Sequence, residues 1–517
     1  MKKSNAFASF AALLSTQLLM AQAGTLDNSF SADGLVSTDL GASTYDQANA
    51  LAIQLDGRIV VVGPSGYSKA LDFGAARYLP DGTPDSEFSF NGVDFTSVVF
   101  GDDHATAVAI QDDGKIVIGG YGFCTEGNCF AMVRYLSDGS TDPEFGIDGI
   151  VTTEISGGYV LESKAIALQD DGKILLAGGG VAGFALVRYL EDGSVDSDFG
   201  VDGLATCAFS QGNDRANGIA VLDDGKIILS GYASGTIGDS IAVTRLNDDG
   251  SIDTGFGAGG RVRAALPNRN TIGQSMAVGP DGEIVVVGYY VPPSSFDPAA
   301  MVARFTAEGV LDTEFNGTGL RDLAVVGSIS SIMNGVAVQP DGKVVGCGAV
   351  VTATSDFLVV RLNVDGSDDI TFNGGTSVTD FTGTFDRANV VALQSDGRVV
   401  VAGGTNAGTQ DYNFAVARYL ADGNVGVGEL INPGSSLEVY PQPINSAATV
   451  SYTLETADAI SIDLYDARGA LVQQVVGEQH RAAGLHQVTI HVDAPTGLYT
   501  LVLRGTNTTR TVKVALD

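Results

Sequence analysis

Phe184-Ala185-Leu186-Val187-Arg188-Tyr189-Leu190, followed by Gly193, is the stretch on which the fold turns. It is an apolar run of good strand formers with one arginine inside it. The pattern recurs at Arg77, Arg134, Arg245, Arg304, Arg361 and Arg418, at intervals of 54 to 59 residues. Each arginine is followed five residues later by a glycine: Gly82, Gly139, Gly193, Gly250, Gly309, Gly366 and Gly423. A period of this size marks stacked supersecondary units.

Within the second unit, Thr106–Gln111, Lys115–Gly119, Phe130–Leu136 and a segment between Phe145 and Thr153 read as four short strands. A loop to about Asn128 separates the second from the third. Asp113-Gly114 and Asp138-Gly139 turn the chain as hairpins do. The apolar runs, such as Ile174-Leu175-Leu176-Ala177, are continuous rather than alternating, so both sides of each strand must be covered. Four-stranded sheets stacked face to face around an axis provide that cover. The expectation is an all-β chain with a seven-bladed β-propeller over residues 24–424, rather than an open solenoid with special end caps.

Closure leaves a trace. Six units carry a phenylalanine six residues after the glycine: Phe88, Phe145, Phe199, Phe256, Phe315 and Phe372. After Gly423 the pattern stops, and it stands at the start of the ring instead, as Leu26-Asp27 with Phe30. Residues 26–40 are thus expected to pair with the sheet of residues 389–423 and complete the last blade, removing exposed edges.

Eight residues after six of the arginines comes an aspartate: Asp85, Asp142, Asp196, Asp253, Asp312 and Asp369. Across a three-residue hairpin loop these positions face each other. Arg418 lacks such a partner in sequence, and Asp27 supplies it if the ring closes. A group repeated in every blade points in seven directions and cannot build one asymmetric site. The pairs read as blade-holding ion pairs, since a buried charge must be paired. The acidic first turns, such as the one at Asp113, and Asn247-Asp248-Asp249-Gly250-Ser251-Ile252-Asp253 look calcium-like but lack the ordered ligands and terminal glutamate of a calcium loop. Asx turns are the plainer reading, and no cofactor is expected, with calcium the one candidate.

Residues 1–23 read as a secretory signal: Lys2 and Lys3, an apolar stretch from Ala6 to Met20, and Ala21-Gln22-Ala23 at the cut. The stretch is too short and interrupted to span a membrane. The net charge is −33, and residues 24–436 hold 21 Lys/Arg against 53 Asp/Glu, a net −32. Such a field repels nucleic acid and anionic lipid. Cys124 and Cys129 bracket a short loop and can close a small ring in an oxidising compartment. Cys207 and Cys347, in apolar runs of different units, read as buried thiols.

Both Asp-Gly turns of each blade fall on one face of the ring, and the variable connections on the other. Variable loops on a rigid scaffold are the usual binding face. The most individual positions there are Tyr121 and Phe123, Tyr289 and Tyr290, Phe296 and Asp297, and Asn268 and Arg269. Catalytic signals are sparse. The ring holds one histidine, His104, and the sequence shows no Ser/His/Asp group, zinc spacing or phosphate loop.

The repeat resembles the delta-60 repeat family of bacterial secreted proteins, through Leu26-Asp27 with Phe30, Gln339-Pro340-Asp341-Gly342-Lys343 and Phe414-Ala415-Val416-Ala417-Arg418-Tyr419. That resemblance implies a propeller-like array without a defined activity. Residues 425–436 read as a linker. Residues 437–517 have the alternating strands of a small Ig-like β-sandwich. They resemble the C-terminal sorting domain of type IX secretion, through Tyr440-Pro441-Gln442-Pro443, Ile462-Asp463-Leu464-Tyr465-Asp466, Gly469 with Leu471-Val472, Gly484-Leu485-His486, and Pro495-Thr496-Gly497-Leu498-Tyr499 with Lys513. Gln442 stands where that family usually has asparagine. The resemblance implies the type IX machinery as partner, passage across the outer membrane, and release or attachment at the cell surface. It makes His480, His486 and His491 folding or sorting residues. The resulting expectation is an exported binding or adhesion module for an extracellular protein or glycan. The alternative is a secreted polysaccharide hydrolase or lyase with a carboxylate-based site on the long-loop face.

Overall fold

A computed structural model describes residues 22–421 apart from connections at 42–44, 68–69, 126, 156–161, 181–182, 211, 236–237, 267–268, 293–295, 324, 326, 382–384 and 407–411. In the tail it describes 437–440, 444, 447–454, 457–466, 471–482, 484–492, 494–495, 497–505 and 509–516. The signal-like segment up to residue 21 and the linker at 425–436 lie outside the described residues, as does Asn268. The chain divides into two compact units at Val425.

Blade 2 shows the plan: His104–Ile110, Ile116–Cys124, Gly127–Tyr135 and Ile150–Thr153, each antiparallel to the next. The other inner strands are Ala50–Ile53, Glu162–Leu168, Asp214–Val221, Asn270–Val278, Ser330–Val338 and Phe385–Leu393, making seven blades. One expectation needs correction. The second and third strands of blade 2 continue almost to each other, so the loop expected up to Asn128 is a tight hairpin. The Cys124–Cys129 disulfide, with S–S 2.02 Å and Cα–Cα 5.7 Å, bridges the two strands there. Cys207 and Cys347 are buried free thiols.

The last blade is built from both ends of the ring. Phe385–Leu393, Val399–Asn406 and Asn413–Tyr419 are followed in space by Leu35–Thr38, with Leu35 opposite Ala417 and Thr38 opposite Phe414. Leu26 bridges Tyr419 just beyond.

The core lies in seven wedges between blades, which accounts for the unbroken apolar runs. Ile59 and Val61 of one strand pack with Val400, Val416 and Phe30 of the last blade. Val60 and Val62 of that strand pack with Ile116 and Ile118 of blade 2. Successive side chains of a strand point to opposite faces, so the apolar runs of the middle strands are buried on alternate sides.

The repeated arginine rivets each wedge. Its Nε lies 2.7–2.8 Å from the aspartate in all seven blades, Arg418 using Asp27. Its guanidinium stacks on the repeated phenylalanine at 4.5–4.8 Å. In six blades an Nη1 also reaches a turn carbonyl of the next blade, as Arg77 does to Ser137 (2.6 Å), Arg188 to Asp248 (2.6 Å) and Arg245 to Ala307 (2.7 Å). Arg418 donates to Pro80 of blade 1, closing the circle.

The tail is a sandwich of two sheets. Leu437–Tyr440, Ala447–Leu454 and Gly484–His491 form one. Leu471–Arg481, Asp458–Asp466, Gly497–Arg504 and Thr509–Leu516 form the other. They share a core that includes Val450, Tyr452, Ile460, Ile462, Leu464, Leu501 and Leu503.

Candidate functional site at the channel mouth

Each inner strand enters the ring from the face of the variable connections and runs along the axis. In six blades it carries a β-bulge, with the register shifting across Thr106, Lys164, Asn217, Gln274, Asn334 and Asn389. Asn49 holds the same place in blade 1. A bulge turns its extra residue away from the ladder, and these seven residues line a central cavity of about 410 Å³.

A glycine lies fourteen residues after each of them, on the second strand: Gly63, Gly120, Gly178, Gly231, Gly288, Gly348 and Gly403. A Cβ on any of these would run into the carbonyl of the inner strand two residues before the bulged one. Only glycine lets the bulged strand lie this close. Gly231→Ala is expected to destabilise the chain by about 1–3 kcal/mol, because the obstructing Arg215 oxygen is backbone. Urea unfolding checks this, and an unchanged midpoint would contradict the close approach.

Most bulged residues are structural. Asn49 donates to Ala105 O (2.9 Å), Thr106 to Ser163 O (3.1 Å), Asn217 to Gly273 O (2.7 Å), Asn334 to Ala388 O (2.7 Å) and Asn389 to Ala48 O (2.8 Å). Each bond joins one blade to the next. Lys164 departs from the set, with Nζ 3.7 Å from Glu162 and 5.4 Å from the Tyr121 ring centre.

Two residues before the bulge, nearer the mouth, repetition breaks down: Gln47, His104, Glu162, Arg215, Ile272, Ile332 and Arg387. Their partners on the second strand include Tyr121 opposite His104, Tyr232 opposite Arg215 and Tyr289 opposite Ile272, while Gly404 lies opposite Arg387. These tyrosines are half-buried. His104 and Tyr121 stack at 4.8 Å with an interplanar angle of 15°. Arg215 reaches across blades to Glu162 at 2.6 Å. The Tyr45 hydroxyl donates to Gln47 at 2.6 Å, and its ring lies 5.0 Å from that of Tyr412.

Burial sets the ionisation here. It lowers His104, more than the nearby Asp102 raises it, which favours the neutral imidazole. It pushes the Tyr121 hydroxyl up to about 12. It also lowers Lys164 and Arg387. The Arg387 guanidinium donates to Asn334 Oδ1 at 3.1 Å, and its buried Nε has no partner among the described residues.

Of the residues singled out in the sequence, Tyr121 and Tyr289 stand at this mouth. Phe123, near the end of its strand, and Phe296 and Asp297, on a connection, stand exposed on the same face, Phe296 at 99 %. Tyr290 points the other way along its strand and is buried between blades 4 and 5. Its hydroxyl donates to Asp322, and Arg269 lies over its ring at 4.5 Å, so the two pack on each other. Sequence reasoning passed over Lys164, Glu162, Arg215, Tyr232 and Arg387. Their signal was departure from the repeat at fixed offsets from the second-strand glycine.

Asp356, Asp380 and Asp386 bring three carboxylates together elsewhere on this face. Asp386 already accepts from the Phe381 N–H (2.7 Å) and the Thr405 hydroxyl (2.6 Å). In the calcium-like turn, Asp249 accepts from Ser251 N and Oγ, and Asp253 faces Arg245.

The repeats match the family described as "Domain of unknown function (DUF5122) beta-propeller" at residues 54–88, 111–145, 169–199, 222–256, 279–315, 339–372 and 394–425. Residues 438–517 match the secretion system C-terminal sorting domain. Among solved structures, the chain is similar to a protein of unknown function from Dyadobacter fermentans (13 % identity, TM-score 0.41, 75 % of this chain and 99 % of that one). It is also similar to a polysaccharide lyase described as an ulvan lyase (12 %, 0.40, 78 % and 94 %) and to Sqt1 of Chaetomium thermophilum (12 %, 0.41, 75 % and 99 %). No curated protein matches it.

Proposed function

We propose that this chain, whose seven repeats belong to the DUF5122 β-propeller family and whose tail is a type IX sorting domain, is an exported binding module. Its ligand is taken at the mouth of the central channel, on the face of the variable connections. The sorting domain delivers the chain to the cell surface or the medium. The signal-like segment at residues 1–23 is read as the first step of the same route.

One observation carries the placement of the site. Around the ring, equivalent residues are alike where they hold blades together and unlike at the mouth. Asymmetry is what a single ligand requires. Small-molecule sites combine a concave surface, aromatic walls and a few placed polar groups, and Tyr121, Tyr232 and Tyr289 beside Arg215 and Arg387 fit that description.

His104 favours a second reading, lyase chemistry. A neutral imidazole within a cationic mouth can take a proton next to a sugar carboxylate. The full chain, probed against glycan and protein arrays beside a Tyr121→Ala/Tyr289→Ala variant, tests both readings. The binding reading expects retention without turnover, lost in the variant. Appearance of an unsaturated sugar product favours the lyase. Retention unaffected by the substitutions would remove the mouth from consideration.

A further inference from the structure

The ring is strongly acidic, yet the channel lining holds two cations, Lys164 and Arg387, and no carboxylate. Every one of the seven repeated arginines has its own aspartate. Arg215 has Glu162, and Lys164 leans on the same carboxylate at longer range. Arg387 differs: among the described residues no carboxylate lies within ion-pair distance of it. Among the described residues its one hydrogen bond goes to a neutral amide, and its buried Nε has no partner. A desolvated guanidinium without a counter-charge is costly, and folding alone gives no reason to keep it. A planar fork of donors matches an oxyanion.

The walls narrow the ligand further. The tyrosines occupy blades 2, 4 and 5. The sector of blades 6, 7 and 1, which contains Arg387, presents Ala349, Gly404 and Pro64 at the equivalent second-strand positions. Tyr45 and Tyr412, their rings 5.0 Å apart, stand in the sector of the unpaired arginine, so aromatic rings line the mouth on both sides of it. A ligand carrying an anionic group and an amphipathic, ring-shaped body satisfies both.

We infer that the mouth binds an anionic glycan, with a sugar carboxylate or sulfate seated on Arg387, Lys164 supporting it and sugar rings against Tyr121, Tyr232 and Tyr289. This deepens the proposed binding function and rests on its placement at the mouth.

Calorimetric titration of the full chain tests it with three probes: a uronate tetrasaccharide, a sulfated tetrasaccharide and the carboxyl-reduced, neutral form of the first. At least one charged sugar should bind, and its affinity should fall steeply with added salt. Which of the two binds more tightly identifies the anionic group. The neutral form should bind at least tenfold more weakly. Arg387→Gln should lose at least tenfold for the charged sugar and nothing for the neutral one, with a melting temperature no lower than that of the wild type. Lys164→Gln, which leaves Arg387 in place, should show a smaller loss in the same direction.

Equal binding of charged and neutral sugars, indifference to both substitutions, or no binding of any of the three overturns the inference. An acidic peptide held through Arg387 while the sugars are ignored overturns it as well. If Tyr121→Ala/Tyr289→Ala weakens binding while carboxyl reduction and Arg387→Gln do not, the mouth stands as a site and only its anionic preference fails. If no substitution at the mouth matters to a sugar that does bind, the placement itself fails.

Discussion

A chain lacking residues 24–40 should lose most of its stability and collect as aggregate rather than as a soluble ring. That segment buries Phe30 completely and Val36 and Leu40 nearly so, in the wedge between the last blade and the first. At ~1.5–3 kcal/mol for each such side chain, the apolar loss alone is roughly 5–9 kcal/mol. Asp27 leaves too, stranding Arg418, whose Nε lies 2.8 Å from it. A whole domain is stable by only about 5–15 kcal/mol, so the deletion removes a comparable amount. It also bares the edge of Asn413–Tyr419, now paired with Leu35–Thr38, and a bare edge recruits other chains. Solubility and urea unfolding of the truncated chain read the effect, and a synthetic peptide of residues 24–40 supplied in trans should restore soluble protein. A truncated chain that unfolds at the midpoint of the full one would show that the ring does not depend on this strand.

Cutting Arg188 to Ala should cost ~3–5 kcal/mol, the loss expected when one partner of a buried pair is left alone. Arg188 Nε lies 2.8 Å from Asp196, its guanidinium 4.5 Å above Phe199, and Nη1 donates to Asp248 O of the next blade at 2.6 Å. In this blade the aspartate has no second cation among the described residues. Asp85, Asp142, Asp253 and Asp369 are each approached by a basic residue of the first turn as well: Arg58, Lys115, Lys226 and Lys343. Arg188→Lys should fall between wild type and alanine, since lysine keeps the charge but not the fork or the stacked plane. Adding Asp196→Ala to Arg188→Ala should recover part of the loss, because no carboxylate then remains buried and unpaired. Midpoints that do not move in the single variant would mean that these pairs do not hold the blades.

The pairing of Arg418 with Asp27 shows how far a one-dimensional pattern reaches. The two stand 391 residues apart and are joined only by the ring, yet a missing motif at one end and a surplus copy at the other point to the contact. The loop of blade 2 was harder to read. Small and polar residues around Cys124 look like a loop, but the two strands carry their pairing across them and the disulfide ties them. Tyr289 and Tyr290 are adjacent and chemically alike, and only strand register decides that one meets the channel and the other the core.

Strand order, blade number and ring closure were determined by the sequence itself, because they depend on period, alternation and turn chemistry, which recur in every repeat. The mouth was decided only by the tertiary structure. His104, Glu162, Arg215 and Arg387 come from four repeats, and nothing short of closing the ring brings them to one opening. Their identities also differ from blade to blade, so the periodicity that exposes the scaffold averages away the residues that make one end of its channel unlike a seven-fold ring.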